Sequence, residues 1–326
     1  MSAMTEYDEM TRTERVRAAV RGEEVDRIPV AFWHHFKPEG SGRRQAELTL
    51  GFFDEQFDLD ICKVMPDIPY PFPRRSITDA DGWRMLEPLD LARSPFVQQR
   101  LRTIEYLRDE LGDDTPIVMT VFGPLTEALN FAADHETFFR HLREEPTAVH
   151  AALDVIAQNL GDAMALYLEA GADGVFFSLM GAMTEDQPGG LGEARYREFG
   201  RPYDLKALRR AGEGWLNILH VHGNGGLLMD TVIDYPVDVL SWSDRLTGLS
   251  LREVRAKTTK CLMGGWHEFG ALSNGPAEAI RAEAEDAIAQ TGGRKFILAN
   301  GCSVPDDTPE EWLEAARDIA DQLEVE

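Results

Sequence analysis

Cysteine is scarce in this chain. Three thiols, Cys62, Cys261 and Cys302, are spread over 326 residues, too few for a disulfide framework at this length. Residues 1–21 are charged where a secretory signal would be apolar, so the expected compartment is reducing and cytoplasmic. Cations are outnumbered: 33 Lys+Arg against 57 Asp+Glu leave a formal charge of −24. That balance argues against a sequence-independent grip on nucleic acid, which needs a lysine and arginine footprint. It argues equally against docking on an anionic membrane surface. No apolar run approaches the ~20 residues that span a bilayer. Internal repeats, low-complexity tracts and an evident linker are missing too. The glycines at 223–226 lack the spacing of a dinucleotide fingerprint, although an acid, Asp244, lies about 20 residues further on.

What is present is alternation. Short apolar runs rich in β-branched and aromatic residues occur at 27–33, 58–65, 116–122, 174–179, 215–222, 237–242, 261–266 and 295–300. Such runs read as buried strands. Between them lie helical patterns. Residues 146–170 place Val149, Leu153, Ile156 and Leu160 near helical spacing, with Gly171 as a stop signal. Residues 276–290 begin with Pro276 in a first turn, and Gly292 follows. A last helix is predicted from a Thr308 cap, with Pro309 first and Glu310 and Glu311 where the helix dipole favours acids. Strands alternating with helices give a parallel sheet. Eight is the number of strands that closes a (β/α)8 TIM barrel; the alternative is a doubly wound open sheet with a second domain. The expected fold is α/β, one TIM-barrel domain over residues 1–326 with an N-terminal helical extension.

In a barrel the active site sits at the C-terminal strand ends, and the chemically informative residues fall there. His220 and His222 end the fifth run, and side chains two apart on a strand share a face. Converging imidazoles suit a transition metal, or they line a pocket through hydrogen bonds alone. Cys302 follows the eighth run within a polar loop, Ser303-Val304-Pro305-Asp306-Asp307, so it faces the same mouth. Two histidines and one thiolate make three protein ligands with one open position, the pattern of a catalytic zinc. Cys62 and Cys261 sit inside their strands, where core packing is the expectation. His267, past the seventh run, reads as a fourth ligand, a proton-transfer group or plain pocket lining. Asp67, past the second, reads as a general base, a partner for a substrate cation or a loop cap. Trp33-His34-His35-Phe36 ends the first run and supplies aromatic walls; adjacent histidines alternate in direction, so one of the two need face inward.

Several segments resemble the uroporphyrinogen decarboxylase superfamily. They are Thr11-Arg12-Thr13-Glu14-Arg15-Val16 with the stretch from Arg21 to Val30, Gly171-Ala172-Asp173-Gly174, Phe199-Gly200-Arg201-Pro202-Tyr203, Leu262-Met263-Gly264-Gly265 and Asn300-Gly301-Cys302-Ser303-Val304-Pro305. The resemblance runs from near the start of the chain to near its end and implies a single barrel. One branch decarboxylates a tetrapyrrole with an aspartate, matched by Asp67, and a set of arginines. Phe32-Trp33-His34-His35-Phe36-Lys37 stands where that branch carries an Arg-Gln-Ala-Gly-Arg-like stretch, so the two-pronged carboxylate grip of arginine is missing there.

The other branch comprises zinc-dependent methylcobamide:thiol methyltransferases, with coenzyme M as a familiar acceptor. Its zinc ligands are a His-x-Cys pair and a later cysteine. His220 and Cys302 match the first and third, and His222 stands in place of the first cysteine. Zn(II) held by two neutral imidazoles and one thiolate carries net +1, which acidifies a bound thiol or water more strongly but leaves the thiolate less nucleophilic. The leading reading is therefore zinc-dependent methyl transfer from a methyl-corrinoid to a thiol. His220, His222 and Cys302 would be ligands, and Asp67 and His267 would position substrate or move protons. The chain lacks a cobalamin-binding Asp-x-His-x-x-Gly motif, so the corrinoid would arrive on a partner protein. Alternatives are a zinc-dependent lyase or hydrolase, a uroporphyrinogen decarboxylase-type carboxy-lyase, and a non-catalytic corrinoid- or tetrapyrrole-binding module. The resemblance also implies a homodimer. Pocket loops at 66–75 and 180–190 would select the small-molecule substrate.

Overall fold

The computed structural model describes residues 9–71 and 76–323; residues 72–75 of the expected pocket loop lie outside the described residues. Each apolar run holds one strand: β1 Val30–Ala31, β2 Cys62–Val64, β3 Ile117–Phe122, β4 Gly174–Leu179, β5 Ile218–Val221, β6 Val239–Trp242, β7 Cys261–Trp266 and β8 Phe296–Asn300. They form one parallel sheet in the order β1-β8-β7-β6-β5-β4-β3-β2, the arrangement of a (β/α)8 barrel. Alternation along the strands divides the core in two. Ile61, Val118, Phe176, Ile218, Val239, Met263 and Ile297 pack together inside the barrel. Cys62, Met119, Phe177, Leu219, Leu240, Leu262 and Leu298 pack outward, under the helices. Cys261 belongs to the inner set and Cys62 to the outer; burial pushes both thiols up to about 12. They are core residues.

Where β1 meets β2, a side chain joins the strands. Asp60 donates its N–H to the Val30 carbonyl at 2.9 Å and accepts the Val30 N–H on its carboxylate at 2.7 Å. Arg15 and Arg27 grip that buried carboxylate at 2.7 and 2.6 Å, and Arg15 also holds Asp26 at 2.7 Å. Arg15 comes from the helix Arg12–Arg21, the N-terminal extension, whose start is fixed by a Thr11–Glu14 capping box. The N-terminal motif is thus a clamp on the barrel seam.

The helices Pro146–Glu169 and Ala277–Thr291 follow their sequence patterns, except that Pro276 stands as the cap residue rather than in the first turn, and Gly292 ends the second at φ 70°. The last helix corrects one expectation. It runs Glu310–Asp321 with Pro309 as its cap residue, and the Thr308 hydroxyl instead meets Ser273 Oγ at 3.2 Å. A tertiary partner therefore takes the hydroxyl that local capping would have used. Among the described residues, no helix is long and apolar enough to cross a membrane.

The Phe199–Tyr203 motif leads into a buried polar knot. Asp204 accepts hydrogen bonds from the Tyr196 and Tyr235 hydroxyls at 2.6 and 2.9 Å. Burial outweighs those bonds and raises its carboxyl to about 7. The folded state then holds a proton that the unfolded chain has released, so stability is full below the unfolded pKa and declines as pH rises toward 7. Asp204→Asn keeps an acceptor without the titration. Urea denaturation should show the variant gaining roughly 2 kcal/mol on the wild type between pH 5 and pH 7.5. A constant difference between the two would show that Asp204 stays ionised.

Candidate metal centre

The barrel interior changes character from bottom to top. On β5, Ile218 is followed on the same face by His220, which lies in register with Ser178 of β4 and Ser241 of β6. His222 continues that phase just past the strand, its N–H bonded to the Leu179 carbonyl at 2.9 Å. Cys302 arrives from the far side of the sheet through a turn after β8. Asn300 Nδ2 bonds the carbonyls of Trp33 and Cys302, and the Val304 N–H reaches Trp33 O at 3.0 Å. A Cβ on Gly301 would stand 2.5 Å from Ser243 Cα, so the turn requires glycine there. Donor atoms of His220, His222 and Cys302 all come within 4.8 Å of one another, with Cys302 Sγ 3.7 Å from His222 Nδ1.

The electrostatics suit a cation ligated by neutral imidazoles. Burial lowers the pKa of His220 well below its usual value, with His222 and Lys63 adding to the effect, and burial alone lowers that of His222. Burial also pushes the Cys302 thiol up. His220 Nδ1 meets Ser241 Oγ at 3.2 Å, whereas its buried Nε2 has no hydrogen-bond partner. A buried nitrogen without a hydrogen-bond partner, beside a second imidazole and a thiol, is a donor that a metal would satisfy. The donor set therefore fits zinc.

The three donors line a cavity of about 200 Å³ with Trp33, His35, Lys63, Phe176 and Met180 among its walls. His35 faces the cavity, and His34 packs instead against Phe36 and Phe52. Asp67 does not line the cavity directly. It holds His35 Nδ1 at 2.6 Å and accepts the Phe36 N–H at 2.8 Å. His267 is not brought to the donors: its ring accepts the Phe269 N–H at 3.2 Å outside the cavity lining. The cause is Gly265, whose φ of 116° breaks the strand's alternation. A Cβ there would meet Ala287 on the outer side, 2.8 Å away.

Two residues escaped sequence reasoning. Glu268 is fully buried, bonded to Ser243 Oγ, and its Oε2 lies 2.8 Å from where a Gly301 Cβ would stand. It raises the Cys302 thiol from that side. The Gly264-Gly265 pair in mid-strand was the available signal for a phase change. Lys63 is the second, a lysine within a buried strand run. Its side chain shares the inward phase of Ile61 and Met65 and lines the cavity. Burial brings its ammonium down to about 7, against opposing pulls from Cys302 and Asp67.

Comparison with known proteins agrees with this architecture. Over residues 61–323 the chain matches the family model described as uroporphyrinogen decarboxylase (URO-D). A uroporphyrinogen decarboxylase from a Synechococcus species is 27% identical over 310 residues, covering 89% of this chain and 81% of that protein. The methylcobamide:CoM methyltransferase MtaA from Methanosarcina barkeri is 26% identical over 252 residues, covering 76% of this chain and 70% of its own length. Among solved structures, a methyltransferase from Methanosarcina mazei superposes with a TM-score of 0.73 at 21% identity, over 96% of this chain and 99% of that one. The chain belongs to the uroporphyrinogen decarboxylase family.

Proposed function

We propose that this protein is a zinc-dependent methyltransferase that moves a methyl group from a corrinoid, carried by a partner protein, to a thiol. The observation that carries the reading is the buried, unpartnered His220 Nε2 facing the His222 and Cys302 donors. Similarity to the methyltransferase from M. barkeri supports the reaction class. His220, His222 and Cys302 would hold the zinc, which when bound supplies a positive centre that keeps an acceptor thiol ionised near neutral pH. Ser241 fixes the His220 ring so that Nε2, not Nδ1, is turned to the cavity. Trp33 and Phe176, edge to face at 5.2 Å, exclude water from one wall. Asp67 orients His35, the lining residue placed to accept a proton from an entering thiol. We assign no role to His267.

The cavity favours this reading over porphyrinogen decarboxylation. Among the described residues no arginine lines it and Lys63 is the one lysine that does, and about 200 Å³ suits a small acceptor rather than a tetrapyrrole carrying many carboxylates. Elemental analysis of protein purified without chelators should find about one zinc per chain. The zinc-loaded protein should then demethylate methylcobalamin when given a thiol, and chelation should abolish the reaction. Less than about a tenth of one equivalent of zinc after metal loading would dismiss the proposal. Turnover of a small substrate with no corrinoid present would point to a lyase or hydrolase.

A further inference from the structure

Lys63 is the least explained charge in the molecule. It is 7% exposed, and no carboxylate among the described residues lies within ion-pair distance of it. Its Nζ stands 4.8 Å from the Trp33 ring centroid and 4.2 Å from that of Phe176, and it donates to Met65 Sδ at 2.9 Å. Aromatic faces and a thioether keep an ammonium in place, but they do not neutralise it. A buried cation without a counter-charge is costly, and methionine or leucine would fill the same space without that cost. The amine is also not remote from the chemistry, because it lines the cavity that His220, His222 and Cys302 line.

We propose that Lys63 is the specificity-determining residue of the cavity, and that it pairs with the anionic end of a small carboxylic acid whose other end reaches the metal donors. The inference rests on the acceptor reading for what that other end does; the pairing itself depends on Lys63 alone. An anion entering the cavity supplies the missing counter-charge, and the low-dielectric walls make the charge-assisted bond strong. A neutral acceptor of the same length would leave the ammonium unpaired. The cavity would therefore discriminate by charge rather than by shape, and a residue that destabilises the empty protein would be retained for binding.

The test compares 3-mercaptopropionate with 3-mercaptopropan-1-ol, which has the same length and no charge. Calorimetric titration would use the full chain, zinc-loaded and chelator-stripped, as wild type and as Lys63→Met. The wild type should bind the acid about tenfold or more tightly than the alcohol. Lys63→Met should lose that preference, keep its zinc content, and melt no lower than the wild type, since a buried unpaired charge has gone. A preference that survives zinc stripping but vanishes in Lys63→Met would uphold Lys63 even if the zinc reading fails. Equal or absent binding of the two ligands by wild type would overturn the proposal, as would a preference retained in Lys63→Met. A melting temperature several degrees lower in the variant would mark the lysine as structural and overturn it too.

Discussion

Cys302→Ala should lose zinc and methyl-transfer activity together. Structural zinc sites bind with ~10–16 kcal/mol in all, so one thiolate of the set is worth roughly 3–5 kcal/mol, or about three orders of magnitude in affinity. Cys302 is also the one donor that comes from a distant part of the chain, with Sγ 3.7 Å from His222 Nδ1. Without it, two neutral imidazoles would face a cation with no compensating charge. Cys261→Ala is the matched control, because that thiol sits in the barrel core away from the cavity lining. Zinc content and activity should be unchanged in the control. Zinc content by elemental analysis and thiol-dependent demethylation of methylcobalamin read both outcomes. Full zinc occupancy with full activity in Cys302→Ala would remove the metal centre from the mechanism.

The second large effect is expected at the seam. Asp60→Ala should destabilise the fold by about 3–5 kcal/mol, the usual cost of removing one partner from a buried charge network. The carboxylate is fully buried, and its two oxygens accept from Arg15, Arg27 and the Val30 N–H. Truncation would leave the nearly inaccessible Arg15 with Asp26 as its one carboxylate and would orphan a buried backbone donor. Asp60→Asn should cost less, since it still offers an oxygen to Val30. Urea denaturation measures both, and a loss under about 1 kcal/mol in Asp60→Ala would show that the barrel closes without the clamp. The consequences reach the site, because β1 carries Trp33 and His35 toward the cavity.

Much of this was legible from residue order. Runs such as 174–179 and 261–266 match strands residue for residue, because a strand buried on both faces leaves a continuous apolar signature. The pairing of His220 with His222 followed from the strand period of two. His267 shows where that rule stops. Its parity places it with Cys261 and Met263, yet the positive φ at Gly265 turns the chain before the parity can act. Thr308 shows the same limit in a cap: the local pattern assigns its hydroxyl to the start of the last helix, whereas Ser273 across the fold claims it.

By itself the sequence determined the eight-strand alternation, the shared face of His220 and His222, and the residue types able to bind a transition metal. These are local properties, set by backbone geometry and side-chain chemistry within a few residues. Only the tertiary structure decided that Cys302 meets His222, that Asp67 acts on His35, that Asp60 locks the seam and that Lys63 stands in the cavity with no carboxylate among the described residues within ion-pair distance. Those facts depend on which strand ends converge and on what burial does to a charge, and both are fixed only when distant segments have packed around a shared interior.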